Sequence, residues 1–303
     1  MKQAVIMLDG LTKSYGKHRG IENLTFSVLP GEIFGFIGPN GAGKTTTIRT
    51  LMGLLKPTSG NATIFGLDCT QHAAEIAKNV GYLPSENCYY NNLKVKEQLQ
   101  YTADLYGVNC HDRIEELAER LNLDLSRKIG DLSLGNKKKV GIVSALLPSP
   151  KLLILDEPTN GLDPAGIGEI RELIKSLPKR YDMTVLISSH LLSEIEQIAT
   201  SVGIINDGMM VFQGSMEDLK RKSNPTIMIK TRNNKLAQEL LFQKGYSPTQ
   251  HGDFLVFENL TDEQVARANR SLIAGNIDVL RIEEHKKNLE NIFLDITGKE
   301  RSL

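Results

Sequence analysis

The glycine-rich segment at residues 38–45 constrains the fold of this chain more than any other part of its sequence. It consists of a glycine, four further residues and then Gly-Lys-Thr, between the apolar run Ile33–Ile37 and the helix-like segment Thr45–Leu55. A strand, a glycine-rich turn and a helix form the setting in which such a loop binds phosphate. The glycines let backbone N–H groups point at phosphate oxygens, and the helix N-terminus adds a positive dipole end. We therefore predict that the chain binds a nucleoside triphosphate.

The side chains of this segment have distinct expected roles. Lys44 would reach the β- and γ-phosphates, and the hydroxyl of Thr45 would bind Mg²⁺. The alternative is an ordinary glycine turn before a helix, which the complete pattern in its strand and helix setting disfavours. The predicted nucleotide-binding residues of this segment are Gly38, Pro39, Asn40, Gly41, Ala42, Gly43, Lys44, Thr45 and Thr46.

Composition narrows the classes of protein to which the chain can belong. Its 303 residues suggest about two domains. Lys plus Arg and Asp plus Glu both number 36, so a general electrostatic attraction to nucleic acid is not expected, although a local basic patch stays open. Cys69, Cys88 and Cys110 are scattered and lack metal-ligand spacing, which favours a reducing cytoplasm. The apolar runs fall short of the roughly 18–20 residues that span a bilayer, so a role at a membrane would need a partner.

Apolar runs and helix-like segments alternate along the first 220 residues. Val5–Leu8 and Leu24–Val28 predict β-structure at the start, and helical spacing from 95 to about 144 predicts a helical insertion. From residue 151 to 206 strands and helices alternate, which is typical of an α/β domain with a parallel sheet. We therefore predict an α/β domain over residues 1–220, with a helical subdomain at about residues 88–147.

A second, smaller domain is predicted over residues 221–303. Lys220–Pro225 is a charged, turn-prone break and the expected boundary. Strands and helices then alternate in an α+β pattern that suggests a split βαβ arrangement. These predicted elements lie at 226–231, 234–244, 253–257, 262–274, 277–284 and 287–296.

The apolar run Lys151–Leu155 ends in two acidic residues, Asp156 and Glu157. At the carboxyl end of a parallel strand, Asp156 could hold Mg²⁺ directly or through water, and Glu157 could orient or deprotonate an attacking water. Acidic pairs also occur at strand ends without any catalytic role. The phosphate-binding segment earlier in the chain makes the functional interpretation the stronger one.

Further segments stand in a characteristic order along the chain. They are Lys13–Gly16, Leu132–Asn136, Leu155–Thr159, Gly161–Pro164 and Ser188–His190. Together with the phosphate-binding segment, they make residues 1 to about 220 resemble the ATP-binding subunit of ABC (ATP-binding cassette) transporters. The resemblance implies a P-loop NTPase fold with a RecA-like core, an antiparallel β subdomain and a helical insertion. It also implies ATP and Mg²⁺ as cofactors.

The resemblance implies roles for side chains on the near side of the nucleotide. Tyr15 would stack on adenine. His190 would contact the γ-phosphate and help to position the attacking water. With Lys44 and Glu157, His190 completes the expected catalytic set.

The resemblance also implies a second copy of the chain. Leu132–Asn136 resembles the signature segment that begins a helix, so Ser133 and Gly135 would contact the γ-phosphate of ATP bound to the opposite copy. Asp163 would lie at the seam between the copies. Two ATPs would thus be held between two chains arranged head to tail.

Two departures from the family pattern are visible. Leu134 and Asn136 stand where the signature usually has Gly and Gln, and Leu134 is acceptable if its backbone keeps a negative φ. After Gly81–Pro84 the family commonly has Gln as a Mg²⁺ and water contact, whereas this chain has Ser85 and then Glu86. Glu86 or a water takes over that contact, or the contact is missing.

Two further groups of residues have simpler expectations. The run Lys137–Lys139 is expected to be a solvated helix face. The pair Tyr89–Tyr90 lies where the family forms a groove for a cytoplasmic helix of the membrane subunit, and a partly buried loop pair is an equal alternative.

The segment Asn288–Gly298 resembles the tail of cassettes from exporters whose membrane subunit is a separate chain. The expected function is that of an ATPase subunit at the cytoplasmic face of the cell membrane, held there by a transmembrane permease subunit. It would power export of an antibiotic, a peptide or a lipid-like compound, without nucleic acid as a partner. A soluble ABC ATPase acting on ribosomes or DNA, and a regulatory ATP-binding module with weak turnover, are the alternatives.

Overall fold

A computed structural model describes residues 3–16, 18–86, 88–108, 110–221, 226–258 and 260–285. The chain forms two compact units, residues 1–216 and 217–303. The predicted helix at 287–296, the exporter-like tail at 288–298 and residues 222–225 of the predicted boundary lie outside the described residues.

The first unit combines strands and helices in the alternation that the sequence predicts. Its strands are β1 (Ile6–Tyr15), β2 (His18–Val28), β3 (Ile33–Ile37), β4 (Ser59–Ile64), β5 (Leu67–Asp68), β6 (Val80–Leu83), β7 (Leu152–Asp156), β8 (Thr184–Ser189), β9 (Ser201–Asn206) and β10 (Met209–Ser215). Its helices are α1 (Lys44–Leu51), α2 (Ala73–Ala77), α3 (Val95–Tyr106), α4 (His111–Arg120), α5 (Leu134–Leu146), α6 (Pro164–Tyr181) and α7 (Leu192–Ile195). A further helix, α8 (Met216–Arg221), begins at the last residue of this unit.

A six-stranded sheet forms the centre of the first unit, in the order β10-β9-β3-β8-β7-β6. Its strands are parallel except β10, which pairs with β9 in the antiparallel sense. Every residue of β3, β7 and β8 is buried, as expected for parallel strands covered on both faces. Because β3, β8 and β7 are neighbours, their carboxyl ends lie side by side at one edge of the sheet.

An antiparallel sheet, in the order β2-β1-β4-β5, accompanies the central one. Its first two strands are longer than the predicted Val5–Leu8 and Leu24–Val28, since register shifts let the pairing continue through the basic interval. Gly10, at a φ of 58°, lies at the first of these shifts, where a bulge absorbs an extra residue. Phe26 of β2 stacks on Phe34 of β3 with ring centroids 5.3 Å apart, which joins the two sheets in one core.

Helices α3, α4 and α5 form the predicted helical insertion. Leu99 and Ala103 of α3 are fully buried, as are Leu117 and Leu121 in and after α4. Leu105, also in α3, is 69% exposed. It lies two residues beyond Ala103, about 200° further around the helix, and so on the opposite face.

The second unit contains a four-stranded antiparallel sheet in the order β12-β13-β11-β14, with two helices. Its elements are β11 (Thr226–Thr231), α9 (Asn234–Gln243), β12 (Thr249–His251), β13 (Phe254–Glu258), α10 (Asp262–Ala274) and β14 (Val279–His285). This order is the split βαβ arrangement that the sequence predicts. Strand β12 was not predicted, because all three of its residues are exposed and it has no apolar pattern.

None of the helices in the described residues is long and apolar enough to cross a lipid bilayer.

Thr261 fixes the start of α10, since its hydroxyl accepts from the backbone N–H of Gln264 while the side chain of Gln264 accepts from the N–H of Thr261. We expect Thr261→Ala to lower the free energy of unfolding of this unit by about 1 kcal/mol, because a helix N-terminal donor loses its partner. Urea denaturation followed by circular dichroism measures the change. Thr249→Ala, on an exposed edge strand, is the control and should change stability by less than about 0.5 kcal/mol; equal losses in the two variants would contradict the capping role.

Candidate nucleotide-binding site

The loop between β3 and α1 has a backbone arranged to surround an anion. Gly41 and Gly43 have φ values of 80° and 109°, in the left-handed region that favours glycine. Gly43 precedes the first residue of α1, and no side chain caps the N–H groups of that helix. A Cβ at Gly38 would lie 2.4 Å from the carbonyl oxygen of Ile205, so only glycine fits there. The loop therefore leaves helix N-terminal donors available to phosphate.

Lys44 lies across this loop and is 6% exposed. Its Nζ donates to the carbonyl oxygens of Gly38 at 2.6 Å and Pro39 at 3.2 Å. The same atom lies 3.2 Å from Oε1 of Glu157. The predicted phosphate-binding cation and the predicted base are thus direct neighbours.

Asp156 ends β7, and its carboxylate is fully buried. Its Oδ2 accepts from the hydroxyl of Thr45 at 2.9 Å, and its Oδ1 accepts from the hydroxyl of Ser188 at 2.6 Å. The two predicted Mg²⁺ ligands, Thr45 and Asp156, are therefore in contact. A hydroxyl and a carboxylate are the oxygen donors that Mg²⁺ prefers, so this pair fits the ion chemically.

Glu157 turns the chain directly after Asp156. Its φ is 52°, in the left-handed region where a residue other than glycine is uncommon, and its N–H donates to the hydroxyl of Ser188 at 3.0 Å. The turn aims its carboxylate away from that of Asp156. Oε1 faces Lys44, and Oε2 lies 2.8 Å from Nδ1 of His190.

Two residues that sequence reasoning missed support this arrangement. Ser188 is paired in register with Asp156 across β8 and β7, and its hydroxyl bridges Asp156 and the backbone of Glu157. Glu194 accepts from the hydroxyls of Thr159 at 2.6 Å and Ser189 at 3.2 Å, which ties the loop of His190 to the segment after Glu157. The sequence signal for Ser188 was its place in the segment Ser188–His190, two residues before His190.

One pocket lies beside the loop between β3 and α1, and Lys44 and Glu157 are part of its lining. Glu157, the predicted base, is among the lining residues. The lining also includes Gly20, Ser85 and Asn160, to which the sequence analysis assigned no nucleotide contact. The remaining lining residues, all predicted, are Asn40, Gly41, Gly43, Lys44, Thr45 and Thr46. The ring of Tyr15 lies against Gly20, which places it beside this pocket. Tyr15 is 45% exposed.

Ser133 and Gly135 are not among the described residues that line this pocket. The Ser133 hydroxyl caps α5 by accepting from the N–H of Asn136 at 3.3 Å. Leu134 is the first residue of α5, so its backbone is helical and does not require glycine. Its side chain is 60% exposed and packs against Gly161.

The expectation of a solvated lysine face after Ser133 was wrong. Lys138 and Lys139 are buried, because α5 is packed against β6 and between α3 and α4. Lys138 Nζ donates to the carbonyl oxygen of Ser85 at 2.6 Å. Lys139 Nζ donates to the carbonyl oxygen of Leu121 at 2.9 Å and pairs with Glu169.

Burial changes the pKa of a lysine beside the pocket. It lowers the pKa of Lys138 below the ordinary value, while the carboxylates of Asp156, Glu157 and Glu86 oppose that shift. Glu86 itself is exposed. The Lys139 ammonium holds the pKa of Glu169 below its ordinary value through their hydrogen bond.

The predicted tyrosine pair divides into two environments. Tyr89 is half-buried, its hydroxyl donates to the carbonyl oxygen of Lys137 at 2.9 Å, and burial raises its pKa. Tyr90 is 62% exposed, and its ring meets that of Tyr101 edge-on with centroids 5.9 Å apart. Only Tyr90 is therefore available at the surface.

Comparisons with known proteins show the family of this chain. The family model described as "ABC transporter" matches residues 21–160. The bacitracin transport ATP-binding protein BcrA of Bacillus licheniformis is 40% identical, and the alignment covers 97% of both chains. BcrA of Enterococcus faecalis is 33% identical over 97% of this chain and 96% of its own. A solved structure of an ATP-binding subunit of an ABC transporter has a TM-score of 0.66 and 31% identity, covering 72% of this chain and 92% of that one.

We expect Lys44→Ala to weaken binding of a nucleoside triphosphate by about ten- to a hundredfold, because a hydrogen bond from a charged donor to phosphate is lost. Titration with a fluorescent ATP analogue measures the dissociation constant. Lys56→Ala, at an exposed position outside the pocket, is the matched control and should bind normally. Unchanged affinity in Lys44→Ala would contradict the assignment of the phosphate loop.

Proposed function

Since this chain belongs to the ABC transporter family as an ATP-hydrolysing subunit, we propose that it drives an exporter whose membrane subunit is a separate chain. The observation that supports the motor role is the convergence of Lys44, Thr45, Asp156, Glu157 and His190 at the carboxyl edge of one sheet.

Nucleotide binding is assigned to the loop before α1. The backbone N–H groups of Gly41 and of Gly43 to Thr46, with the Lys44 ammonium, would hold the phosphates, while Tyr15 would stack on adenine. Thr45 and Asp156 would hold Mg²⁺, which would neutralise charge on the β- and γ-phosphates. Because Lys44 contacts Glu157 in the structure, phosphate would compete with that carboxylate for the same cation.

Hydrolysis is assigned to Glu157 and His190. Water would attack the γ-phosphorus, the bond from phosphorus to the β,γ-bridging oxygen would break, and the water's proton would pass to the Glu157 carboxylate. The products are ADP and inorganic phosphate. His190 presents Nδ1 to Glu157, so its Nε2 is the atom left for the γ-phosphate.

Completion of the site is assigned to a second copy of the chain. Ser133 and Gly135 lie at the exposed start of α5 and outside the described lining of their own pocket. A helix N-terminus with a hydroxyl and a glycine suits a phosphate, so these residues would act on ATP held by the partner. Asp163, which caps α6 by accepting from the N–H of Gly166 at 3.1 Å, would lie at the same seam.

The membrane partner would dock on the helical region. Tyr90, Tyr101, Leu105 and Tyr106 are each at least 44% exposed, a density of large apolar side chains that marks a protein contact. A cytoplasmic helix of a permease would fit this surface, holding the chain at the cytoplasmic face of the membrane. The two BcrA relatives are bacitracin transport ATP-binding proteins, which supports an antibiotic, a peptide or a lipid-like compound as cargo.

The catalytic assignment predicts that Glu157→Gln abolishes turnover and retains ATP. The amide cannot accept the water's proton, so steady-state phosphate release should fall by at least about a hundredfold. ATP should then stabilise a dimer that size-exclusion chromatography detects. Glu239→Gln, an exposed substitution on α9, should hydrolyse ATP normally; steady hydrolysis by Glu157→Gln would refute the role of Glu157 as base.

The docking assignment predicts that Tyr101→Arg lowers membrane association. A charge at the centre of an aromatic contact should weaken docking by about thirtyfold, while ATP binding stays unchanged. The tagged chain is expressed in its own cells, and its membrane-bound fraction is measured by quantitative immunoblotting. Phe242→Arg, at an exposed residue of α9, is the control. Equal membrane fractions for Tyr101→Arg and the unaltered chain would contradict this surface.

A further inference from the structure

Helix α5 connects two places that the proposed function uses separately. Its first turn follows Ser133, the residue assigned to the partner's ATP. Lys138 lies five residues further, about 7.5 Å along the helix axis, and its Nζ donates to the carbonyl oxygen of Ser85 at 2.6 Å. Ser85 lines the phosphate pocket of the same chain. One side chain therefore links the pocket to the helix that carries Ser133.

The burial of Lys138 makes this link stiff. The side chain is 5% exposed, and a buried ammonium is costly unless polar or charged groups compensate it. The Ser85 carbonyl and the nearby carboxylates of Asp156 and Glu157 provide that compensation. A hydrogen bond from a charged donor is roughly twice as strong as a neutral one, so a shift of Ser85 would be passed to α5.

The next lysine provides a contrast within the same helix. Lys139 is buried to a similar degree, but its partners are the Leu121 carbonyl and Glu169, which do not line the pocket. Its contacts join α5 to the end of α4 and to α6. Lys139 therefore stabilises the packing of the helical region, whereas Lys138 contacts Ser85 in the lining of the pocket.

Resting on the proposed function, we infer that Lys138 is a positioning residue that couples a chain's own phosphate pocket to its own Ser133. When ATP fills the pocket, the segment of Ser85 is held in place, and Lys138 fixes α5 in the orientation that presents Ser133 to the partner. Each chain would then complete its partner's site only after binding ATP itself. Formation of the closed dimer would depend on Lys138, whereas binding of ATP to a single chain would not.

The test uses the full chain with Glu157→Gln, in which ATP is retained. Lys138→Met is added to it, and two quantities are measured: the affinity of the single chain for a fluorescent ATP analogue, and the ATP concentration that gives half-maximal dimer by analytical ultracentrifugation. We expect an unchanged affinity, but an ATP concentration for dimer formation that rises by about tenfold, the effect of losing one charged hydrogen bond. Lys138→Gln, which keeps an N–H donor, should lie closer to the parent.

Three companion variants separate the possible failures. Lys137→Met, at the neighbouring half-buried lysine, should dimerise like the parent, and Ser133→Arg sets the fully defective value. If the Glu157→Gln parent forms no ATP-dependent dimer, the proposed function fails and the coupling with it. If the parent dimerises and Lys138→Met dimerises equally well, the coupling alone is overturned. Loss of ATP binding in both Lys138 variants, or equal defects in Lys137→Met and Lys138→Met, would also overturn it.

Discussion

The buried carboxylate of Asp156 is the point on which the geometry of the site depends. Its two oxygens accept from Thr45, at the start of α1, and from Ser188, near the end of β8. Three chain segments that are distant in sequence are thereby fixed to one another at the carboxyl edge of the sheet. A buried carboxylate requires such partners, because an unpaired one would be strongly destabilising. The pair of bonds that stabilises Asp156 therefore also places the loop of Lys44 beside the loop of His190.

The backbone conformation of Glu157 determines where its carboxylate lies at this edge of the sheet. If Glu157 continued the extended strand, its side chain would point to the opposite face of the sheet from Asp156. The left-handed turn at φ 52° instead brings its carboxylate between Lys44 and His190. Such a conformation costs of the order of 1 kcal/mol, and the bond from its N–H to Ser188 offsets part of that cost. Ser188 thus stabilises both the strained backbone of Glu157 and the buried carboxylate of Asp156.

Local sequence patterns were enough to predict the parts of the fold that follow a hydrophobic period or contain a motif. Strand β3, the bounds of β11 and α10, and the phosphate loop follow from periodicity and turn residues within a few positions. Ser188 and Glu194 could not be recognised in this way, because their roles arise from strand register and from contacts across the sheet edge. The prediction that Lys137–Lys139 form a solvated helix face was wrong for a related reason. In a sequence, a charged stretch indicates a solvent-exposed face. Only the fold shows that the carbonyl oxygens of Ser85 and Leu121 accept hydrogen bonds from these lysines.

The pairing of Lys44 with Glu157 has a consequence for the order of events in the proposed cycle. In the structure the Lys44 ammonium lies 3.2 Å from Oε1 of Glu157 and so occupies one of the two carboxylate oxygens. Phosphate, with more negative charge, would draw Lys44 towards itself and leave Glu157 with His190 as its neighbour. Oε1 of Glu157, the proposed proton acceptor, would thus be free of Lys44 only when nucleotide is bound. The ion pair between Lys44 and Glu157 therefore links access to the proposed base with nucleotide binding.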